Sequence, residues 1–263
     1  MAVVDIFTFN GENAILQLHL GVMDKYVDKF IVVEANKTFT GHDKPMYFFR
    51  DERFFKPYLH KMEYYIVTQW DDTDLWEMAV NSPNTQGASH WKREFYIKES
   101  IQKALTLYDV KDDDTVIIGD VDEIIDPNVH FESETPIKAR LRVYSYFLNN
   151  RSSEEFYGSL IGQYKDIKGK CLNHMRSDKS LYSGSKYLGW HFTSMGGLDE
   201  LKRKLDNSYT NESYYTPIVE AQLSDRYSNN SDFLGRDFTF KTDESDWPQF
   251  LKENRSRFSH LCK

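Results

Sequence analysis

The sequence predicts an α/β fold in which a mostly parallel, Rossmann-like sheet is flanked by helices. One observation is a strand–helix–strand pattern within the first 35 residues, since βαβ units of this kind are parallel and right-handed. The other is the β-branched run at residues 115–119, which is typical of a buried parallel strand and leads directly into an acidic cluster. In open α/β sheets the ligand lies beyond the carboxyl ends of such strands. The pattern therefore indicates a ligand site near residue 120.

The first half of the chain is predicted to form most of the parallel strands. Residues 3–9 read as the first strand, and an apolar helical pattern runs from Ile15 to Tyr26. Further strands are predicted at 29–34, 62–68 and 115–119. A long helix with an uneven apolar face is predicted over residues 89–108.

The second half is predicted to mix strands and helices. A strand is expected at 139–148 and one or two more within 156–175. A charged helix is expected at 198–205, and two further helices at 216–227 and 247–256. No repeat, low-complexity tract or linker composition divides the chain, so residues 1–263 are predicted to form one domain.

The bulk composition excludes several classes of function. The formal net charge of −8 argues against nucleic-acid binding, which needs a basic surface. No segment approaches the roughly 18 consecutive apolar residues of a membrane span, and no secretory signal pattern is present. Cys171 and Cys262 match neither a disulfide framework nor a zinc site. We therefore expect a soluble, cytoplasmic protein without an integral membrane span.

The acidic cluster after the strand at 115–119 is the main candidate site. Asp120 and Asp122 are separated by one residue, and two carboxylates held close together repel each other. A divalent cation such as Mg²⁺ or Mn²⁺ relieves this repulsion, and such cations also bind the phosphates of nucleotides. The alternative is that the cluster caps a helix or solvates a turn.

A second motif is the run Gly189-Trp190-His191-Phe192, which precedes the glycine pair Gly196-Gly197. His191 is a candidate third metal ligand or pyrophosphate contact, since a neutral imidazole ligates metals and nearby glycines let backbone N–H groups approach phosphates. Trp190 offers an apolar face to a sugar ring. The alternative is a core histidine between aromatic residues.

Several charged or polar residues are candidates for contacts with a nucleotide. Arg93 and Arg176 are candidates for neutralising a diphosphate, although surface ion pairs explain them equally well. Glu34, Asn10 and Glu12 lie at the ends of predicted strands and are candidates for contacts with a base or ribose. Helix capping is the alternative for Asn10 and Glu12.

Six segments of the sequence form a set whose order is informative. They are DIFTFNGE (5–12), VDKFIVVEAN (27–36), TFTG (38–41), WKREF (91–95), GDVDEI (119–124) and GWHF (189–192). Together, and in this order, they resemble a known glycosyltransferase family, the one that includes the bisecting N-acetylglucosaminyltransferase of N-glycan processing. The resemblance covers roughly residues 3–212.

The resemblance implies a GT-A type fold, a UDP-sugar donor (UDP-N-acetylglucosamine foremost), a glycan acceptor, a divalent metal and an inverting transfer. The nucleotide-binding half would span about residues 1–125 and the acceptor half about 126–263. Asp122 would ligate Mn²⁺ or Mg²⁺, and Asp120 would hold the ribose or the water shell of the metal.

The general base of an inverting transfer is expected to be Glu212, with Glu123 and Asp199 as the reserves. Members of the family carry a His shortly before the Glu that corresponds to Glu212, whereas residues 208–211 here are Ser-Tyr-Thr-Asn. We also expect no membrane anchor of the kind that a Golgi enzyme carries. A bacterial or viral relative that acts on another glycan fits these departures better than an enzyme of N-glycan processing.

Two other functions stay open on the sequence. A nucleotidyltransferase also uses carboxylate-bound Mg²⁺ after a strand, but residues 9–12 (FNGE) are not a glycine- and lysine-rich phosphate loop. The other is a non-catalytic glycan-binding protein that keeps the fold, which the intact acidic cluster argues against.

Overall fold

The computed structural model describes residues 1–81, 89–129, 135–208 and 215–263, and only the backbone of Ser89 and His90. Within these ranges no helix has both the length and the apolar character that crossing a membrane requires. The strands of the described residues are β1 Val3–Thr8, β2 Lys29–Ala35, β3 Met62–Val67, β4 Thr115–Asp120, β5 Glu123–Ile125, β6 Ile137–Ser145, β7 Asn150–Gln163, β8 Gly189–Thr193 and β9 Phe240–Thr242.

Helices connect and cover these strands. They are α1 Asn13–Met23, α2 Tyr47–Asp51, α3 Thr73–Val80, α4 Ser89–Glu99, α5 Ile101–Leu107, α6 Tyr164–Ile167, α7 Leu172–Ser177, α8 Leu198–Ser208, α9 Pro217–Ser228 and α10 Gln249–Glu253. Short 3₁₀ turns lie at Glu52–Phe54, Lys56–Lys61, Lys179–Leu181 and Ser259–Leu261. The helix predicted over 89–108 is divided at Ser100 into α4 and α5, and the Ser100 hydroxyl donates to the carbonyl of Ile97.

The N-terminal part of the sheet confirms the predicted βαβ unit. Strands β3, β2, β1 and β4 lie side by side in that order and are all parallel. Thr8 pairs with Val33 on one side and with Asp120 on the other, so β1, β2 and β4 end at one edge of the sheet. The predicted site therefore lies at the carboxyl edge of three parallel strands.

The sheet as a whole is mixed, so the α/β class is confirmed, and the prediction of a mostly parallel sheet holds for β3, β2, β1 and β4 but not for the whole sheet. Among the described residues, four strand pairings are parallel (β1–β2, β1–β4, β2–β3, β6–β8) and four are antiparallel (β4–β7, β5–β8, β6–β7, β7–β9). The long strand β7 causes the change of direction, because it forms an antiparallel hairpin with β6 and pairs with β4.

The segment 156–175 contains one of the one or two strands predicted there. Strand β7 ends at Gln163, and α6 and α7 follow. The buried side chains there are spaced at helical intervals of three, Tyr164 with Ile167 and Leu172 with Met175. This local spacing favours helix over a second strand.

Strands β1 and β2 bury both faces, which explains their continuous apolar sequences. On β1, Phe7 faces one buried cluster while Val4 and Ile6 face the other. The first cluster includes residues of α1 and α10, and the second includes residues of α3, α4 and α5. A third cluster packs Tyr146 against α8 and α9. These layers hold the carboxyl edge of the parallel strands in place.

Candidate active site

A cleft with a volume of about 300 Å³ lies at the carboxyl edge of β1, β2 and β4. We call it the central cleft. Thr8, Ala35 and Asp120 line it from these strands, and Phe156 and His191 line it from β7 and β8. The site predicted from the strand-end rule thus coincides with a cavity.

The acidic cluster enters this cleft because two glycines let the strands approach closely. A Cβ on Gly119 would lie 2.4 Å from Ser159 Oγ, and one on Gly158 would lie 2.8 Å from Glu123 Cδ. Any larger residue at either position would displace the Glu123 carboxylate or Ser159. Gly119 is therefore part of how the sequence positions its carboxylates.

Asp120 is held by one hydroxyl and two cations. Thr8 Oγ1 donates to its Oδ1 at 2.6 Å, and Arg176 Nη2 and Lys98 Nζ lie 3.0 and 3.4 Å from its Oδ2. Burial would raise the pKa of Asp120, but the charges of Lys98 and Arg176 outweigh it and hold that pKa well below its usual range. Asp120 is thus an anion already neutralised by protein groups.

Asp122 faces a second pair of basic groups. His191 Nε2 lies 3.5 Å and Lys204 Nζ 3.6 Å from its Oδ2. Burial opposes ionisation, yet these two neighbours lower the pKa of Asp122. Burial likewise opposes the charged imidazole, but Asp122 raises the pKa of His191. The structure therefore places His191 opposite Asp122, as the sequence motif suggested.

The atoms around Asp122 supply only part of the ligand set that a divalent cation needs. Asp122 Oδ2 and His191 Nε2 are 3.5 Å apart, close to the roughly 3 Å between adjacent ligands of an octahedral Mg²⁺. No group of three or more His, Cys, Asp or Glu suited to a metal occurs among the described residues. A cation here would take its other ligands from phosphate oxygens and water, which is usual for Mg²⁺.

Asn10 and Glu12 also line the central cleft, at the end of β1. The backbone N–H of Asn10 donates to Glu12 Oε2 at 2.8 Å, and burial raises the pKa of Glu12. The buried Oδ1 of Asn10 has no hydrogen-bond partner among the described residues. A buried hydrogen-bond acceptor without a donor costs free energy in the folded protein. Asn10 is therefore well placed to accept a hydrogen bond from a ligand.

Three predicted contact residues lie outside the cleft lining. Glu34 ends at the expected edge, but it is fully buried and accepts from Lys44 Nζ, Tyr64 Oη and the backbone N–H groups of 47 and 48. Arg93 Nη2 donates to the carbonyl of Thr40 at 3.1 Å. Trp190 is 4% exposed, and its indole N–H donates to the carbonyl of Asp246. Their contacts connect loops to the core, and their side chains do not line the cleft.

The three candidates for a general base occupy different places. Glu123 is 2% exposed and lines the cleft, where its carboxylate accepts from Ser159 Oγ at 2.9 Å and Arg176 Nη2 at 3.2 Å. Asp199 is exposed in the first turn of α8. Glu212 lies outside the described residues.

Sequence reasoning missed Lys204, which stands at the centre of the site. Besides Asp122, its ammonium contacts Thr193 Oγ1 at 3.1 Å. The signal was present in the helical spacing, because Leu201 and Leu205 are buried while Lys204 and Ser208 lie on the flank that faces the cleft. Lys44 and Lys98 were missed as well, although both line the cleft.

His19 was also missed, and it fixes the backbone of the acidic cluster. It is 1% exposed on α1, with Nδ1 2.8 Å from the carbonyl of Val121 and Nε2 2.8 Å from Asp5 Oδ2. Both partners are acceptors, so both ring nitrogens must donate, which only the imidazolium does. Burial would lower the pKa of His19, but the Asp5 carboxylate and the two hydrogen bonds raise it.

We expect His19 to make the stability of the protein fall as the pH rises. A histidine whose pKa is raised by folding stabilises the folded state fully at a pH below its unfolded pKa of about 6.5. As the pH rises from that value to the folded pKa, this contribution to the free energy of unfolding is lost at about 1.4 kcal/mol for each pH unit. Urea unfolding between pH 5.5 and 9 should show a larger decline for wild type than for His19→Gln. The exposed His60 provides the control: His60→Gln should follow wild type. Equal pH slopes for wild type and His19→Gln would contradict the charged assignment.

An α/β domain whose parallel strands end in a cleft lined by acidic and basic side chains belongs to the broad class that places its ligand at the carboxyl ends of the strands. The chain matches the model of glycosyltransferase family 17 over residues 1–209 of 263, and it belongs to this family, that of β-1,4-mannosyl-glycoprotein 4-β-N-acetylglucosaminyltransferase. The protein is therefore a glycosyltransferase, which uses a sugar donor and a glycan acceptor. A comparison with curated proteins found no match. Among the described residues, all those that line the central cleft, from Thr8 to Ser208, lie within the matched range.

Proposed function

We propose that the protein is a metal-dependent, inverting glycosyltransferase that moves a sugar, N-acetylglucosamine foremost, from a UDP-sugar to a glycan acceptor. The observation that carries this proposal is the convergence of Asp120, Asp122 and His191 at the carboxyl edge of β1 and β4, inside one cleft. Family membership supports the sugar transfer. The donor nucleotide and the metal are inferred from the chemistry of the cleft.

The nucleotide would lie across the ends of the parallel strands. Asn10 would meet the uridine, because its buried carbonyl oxygen is without a partner among the described residues and the N3–H of uracil is a donor. Arg176 and Lys98 would meet the diphosphate, since a guanidinium and an ammonium bind phosphate oxygens strongly. Both side chains already contact Asp120 at the end of β4. Strand β4 pairs with β1, and Asn10 follows the end of β1.

Asp122 and His191 would hold the cation next to the diphosphate. When bound, Mn²⁺ or Mg²⁺ supplies a Lewis acid that stabilises the negative charge of the departing UDP. The ammonium of Lys204 lies 3.6 Å from Asp122 and would add positive charge on the same side.

The transfer itself exchanges one bond for another at the anomeric carbon. The acceptor hydroxyl oxygen attacks that carbon from the face opposite UDP, the bond to the diphosphate oxygen breaks, and the configuration inverts. The proton of the hydroxyl goes to a carboxylate base, for which Glu212 is our first choice. The acceptor side of the cleft must therefore lie across the sugar from Arg176 and Lys98.

Calorimetric titration with UDP tests the metal and the nucleotide together. Mn²⁺ should tighten UDP binding at least about tenfold over the same titration in chelator, because two protein ligands and the diphosphate share the cation. Asp122→Asn should lose this gain. Asp126→Asn should keep it, since Asp126 lies outside the cleft lining and bonds the amide groups of Asn128. Equal UDP affinity with Mn²⁺ and with chelator would remove the metal from the proposal.

A further inference from the structure

A second cavity, which we call the side cavity, opens from the central cleft and has a volume of about 310 Å³. This volume lies at the lower end of the range of about 300–1,000 Å³ that is usual for ligand sites. The residues that line both spaces are Phe156, His191, Thr193 and Lys204. A ligand in the side cavity would therefore lie against the groups that face Asp122.

The walls of the side cavity combine an aromatic face with a charged pair. The ring of Phe156 stacks on the imidazole of His191 at 4.2 Å, which offers a flat apolar surface of the kind that packs against sugar C–H groups. Glu154 Oε1 accepts from Arg236 Nη1 at 3.1 Å, and the two side chains remain 20% and 42% exposed. Both retain accessible polar surface for the hydroxyls of a ligand.

Arg236 is fixed in this position by Asp232, which is 3% exposed. The Asp232 carboxylate accepts from Nε and Nη2 of Arg236 at 3.0 and 2.7 Å, and also from the backbone N–H groups of Leu234 and Arg236. A guanidinium held in this way needs little further ordering when it binds a ligand. Arg236 is paired with Glu154 and Asp232, and His191 and Lys204 both face Asp122, so the cavity suits a neutral ligand.

The backbone around the side cavity is strained at two positions. Tyr146 has φ 69° and Ser194 has φ 59°, in the left-handed region that residues with a Cβ rarely adopt. Tyr146 is kept there by its hydroxyl, which donates to the carbonyl of Ser231 at 2.9 Å, and by its contact with Tyr227. Strain of this kind collects where a site must keep a particular shape.

The far wall of the side cavity lies outside the part of the chain that the family shares. Residues 232–236 build this wall, whereas the family match ends at residue 209. We propose that the side cavity binds the acceptor as a neutral pyranose, packed on Phe156 and hydrogen-bonded by Glu154 and Arg236, and that residues 232–236 set the acceptor preference of this chain. The assignment rests on the proposed function, which places the donor in the central cleft.

A third cavity offers a matched control. It adjoins the cleft at Glu12 and Asp122 on another side, and it is lined by Met195 and His260 among others. His260 belongs neither to the central cleft nor to the side cavity. Replacing His260 tests whether the loss of any polar side chain near the site weakens glycoside binding, or only the loss of one in the side cavity.

The test measures glycoside binding and UDP binding separately. Saturation-transfer NMR with the methyl glycosides of mannose, N-acetylglucosamine, galactose and glucose, in the presence of UDP and Mg²⁺, should show that at least one of them binds wild type. Glu154→Gln should weaken that glycoside at least about tenfold, because one charged hydrogen-bond acceptor is lost. Arg236→Lys should also weaken it, since the forked contact is lost while the charge remains. His260→Ala should bind the glycoside as wild type does, and the UDP affinity of all three variants should match that of wild type.

Thermal unfolding of Glu154→Gln should remain close to that of wild type, because the ion pair with Arg236 is partly exposed. If wild type binds UDP but none of the four glycosides, or if Glu154→Gln binds the glycoside normally, the side cavity is not the acceptor site. If His260→Ala binds the glycoside more weakly while Glu154→Gln binds it normally, the acceptor site is the third cavity and not the side cavity. Failure of wild type to bind UDP would instead contradict the proposed function.

Discussion

Asp122→Asn is expected to lower kcat for sugar transfer by at least about a hundredfold, which is typical for the loss of an electrostatic contact in the transition state. The substitution keeps the size of the side chain but removes the charge that faces His191 and Lys204. In the proposed function it also removes the main ligand of the cation. Initial rates of UDP release with saturating donor and acceptor measure this change.

The stability of Asp122→Asn must be measured beside its activity. Asp122 is 9% exposed, and removing one member of a buried charged group leaves the others without compensation. A variant that unfolds near the wild-type midpoint and has lost transfer supports a role in the reaction. Asp126→Asn should keep both properties. Near wild-type turnover in Asp122→Asn would show that Asp122 only holds His191 in place and takes no part in the reaction.

The parallel half of the fold could be predicted because its strands carry their own signal. Strands β1, β2 and β4 are buried on both faces, so each is a short continuous apolar run. The strand-end rule then placed Asp120 at the cleft without any knowledge of side-chain contacts. Local sequence alone was sufficient for this part.

The contact between Asp122 and His191 depends on a pairing that the sequence does not display. Strand β5 has only three residues, and its antiparallel pairing with β8 sets Glu123 opposite His191. A Cβ on Gly189 would lie 2.1 Å from the carbonyl oxygen of Ile124, so this glycine is required for the pairing. The motif at 189–192 pointed to His191, but only the sheet shows why His191 meets Asp122.

Glu34 shows the opposite case, in which the position was predicted and the environment was not. It ends β2 at the edge expected, yet the chain after β2 returns over it, and Lys44 and Tyr64 bind its carboxylate. How a polar loop returns depends on the tertiary packing around it, which leaves no periodic pattern in the sequence. The orientation of Lys204 toward the cleft likewise depends on how α8 packs through Leu201 and Leu205.

Glu212→Gln is expected to slow sugar transfer at least about a hundredfold while UDP and metal binding stay unchanged. The base of an inverting transfer must lie across the sugar from the diphosphate, so its loss removes only an interaction made in the transition state. Glu212 follows α8, whose Lys204 lines both the central cleft and the side cavity. Steady-state kinetics with calorimetry of UDP separates the effect on kcat from the effect on donor binding.

The two reserve candidates should behave differently, and this makes the assignment testable. Glu123 binds Arg176, which also holds Asp120, so Glu123→Gln should weaken UDP binding as well as transfer. Asp199 is exposed at the start of α8, and Asp199→Asn should keep both properties. Normal transfer by Glu212→Gln would exclude Glu212 as the base. A loss of kcat in Glu123→Gln with normal UDP affinity would assign the base to Glu123, whose carboxylate would then have to leave Arg176 to reach the acceptor hydroxyl.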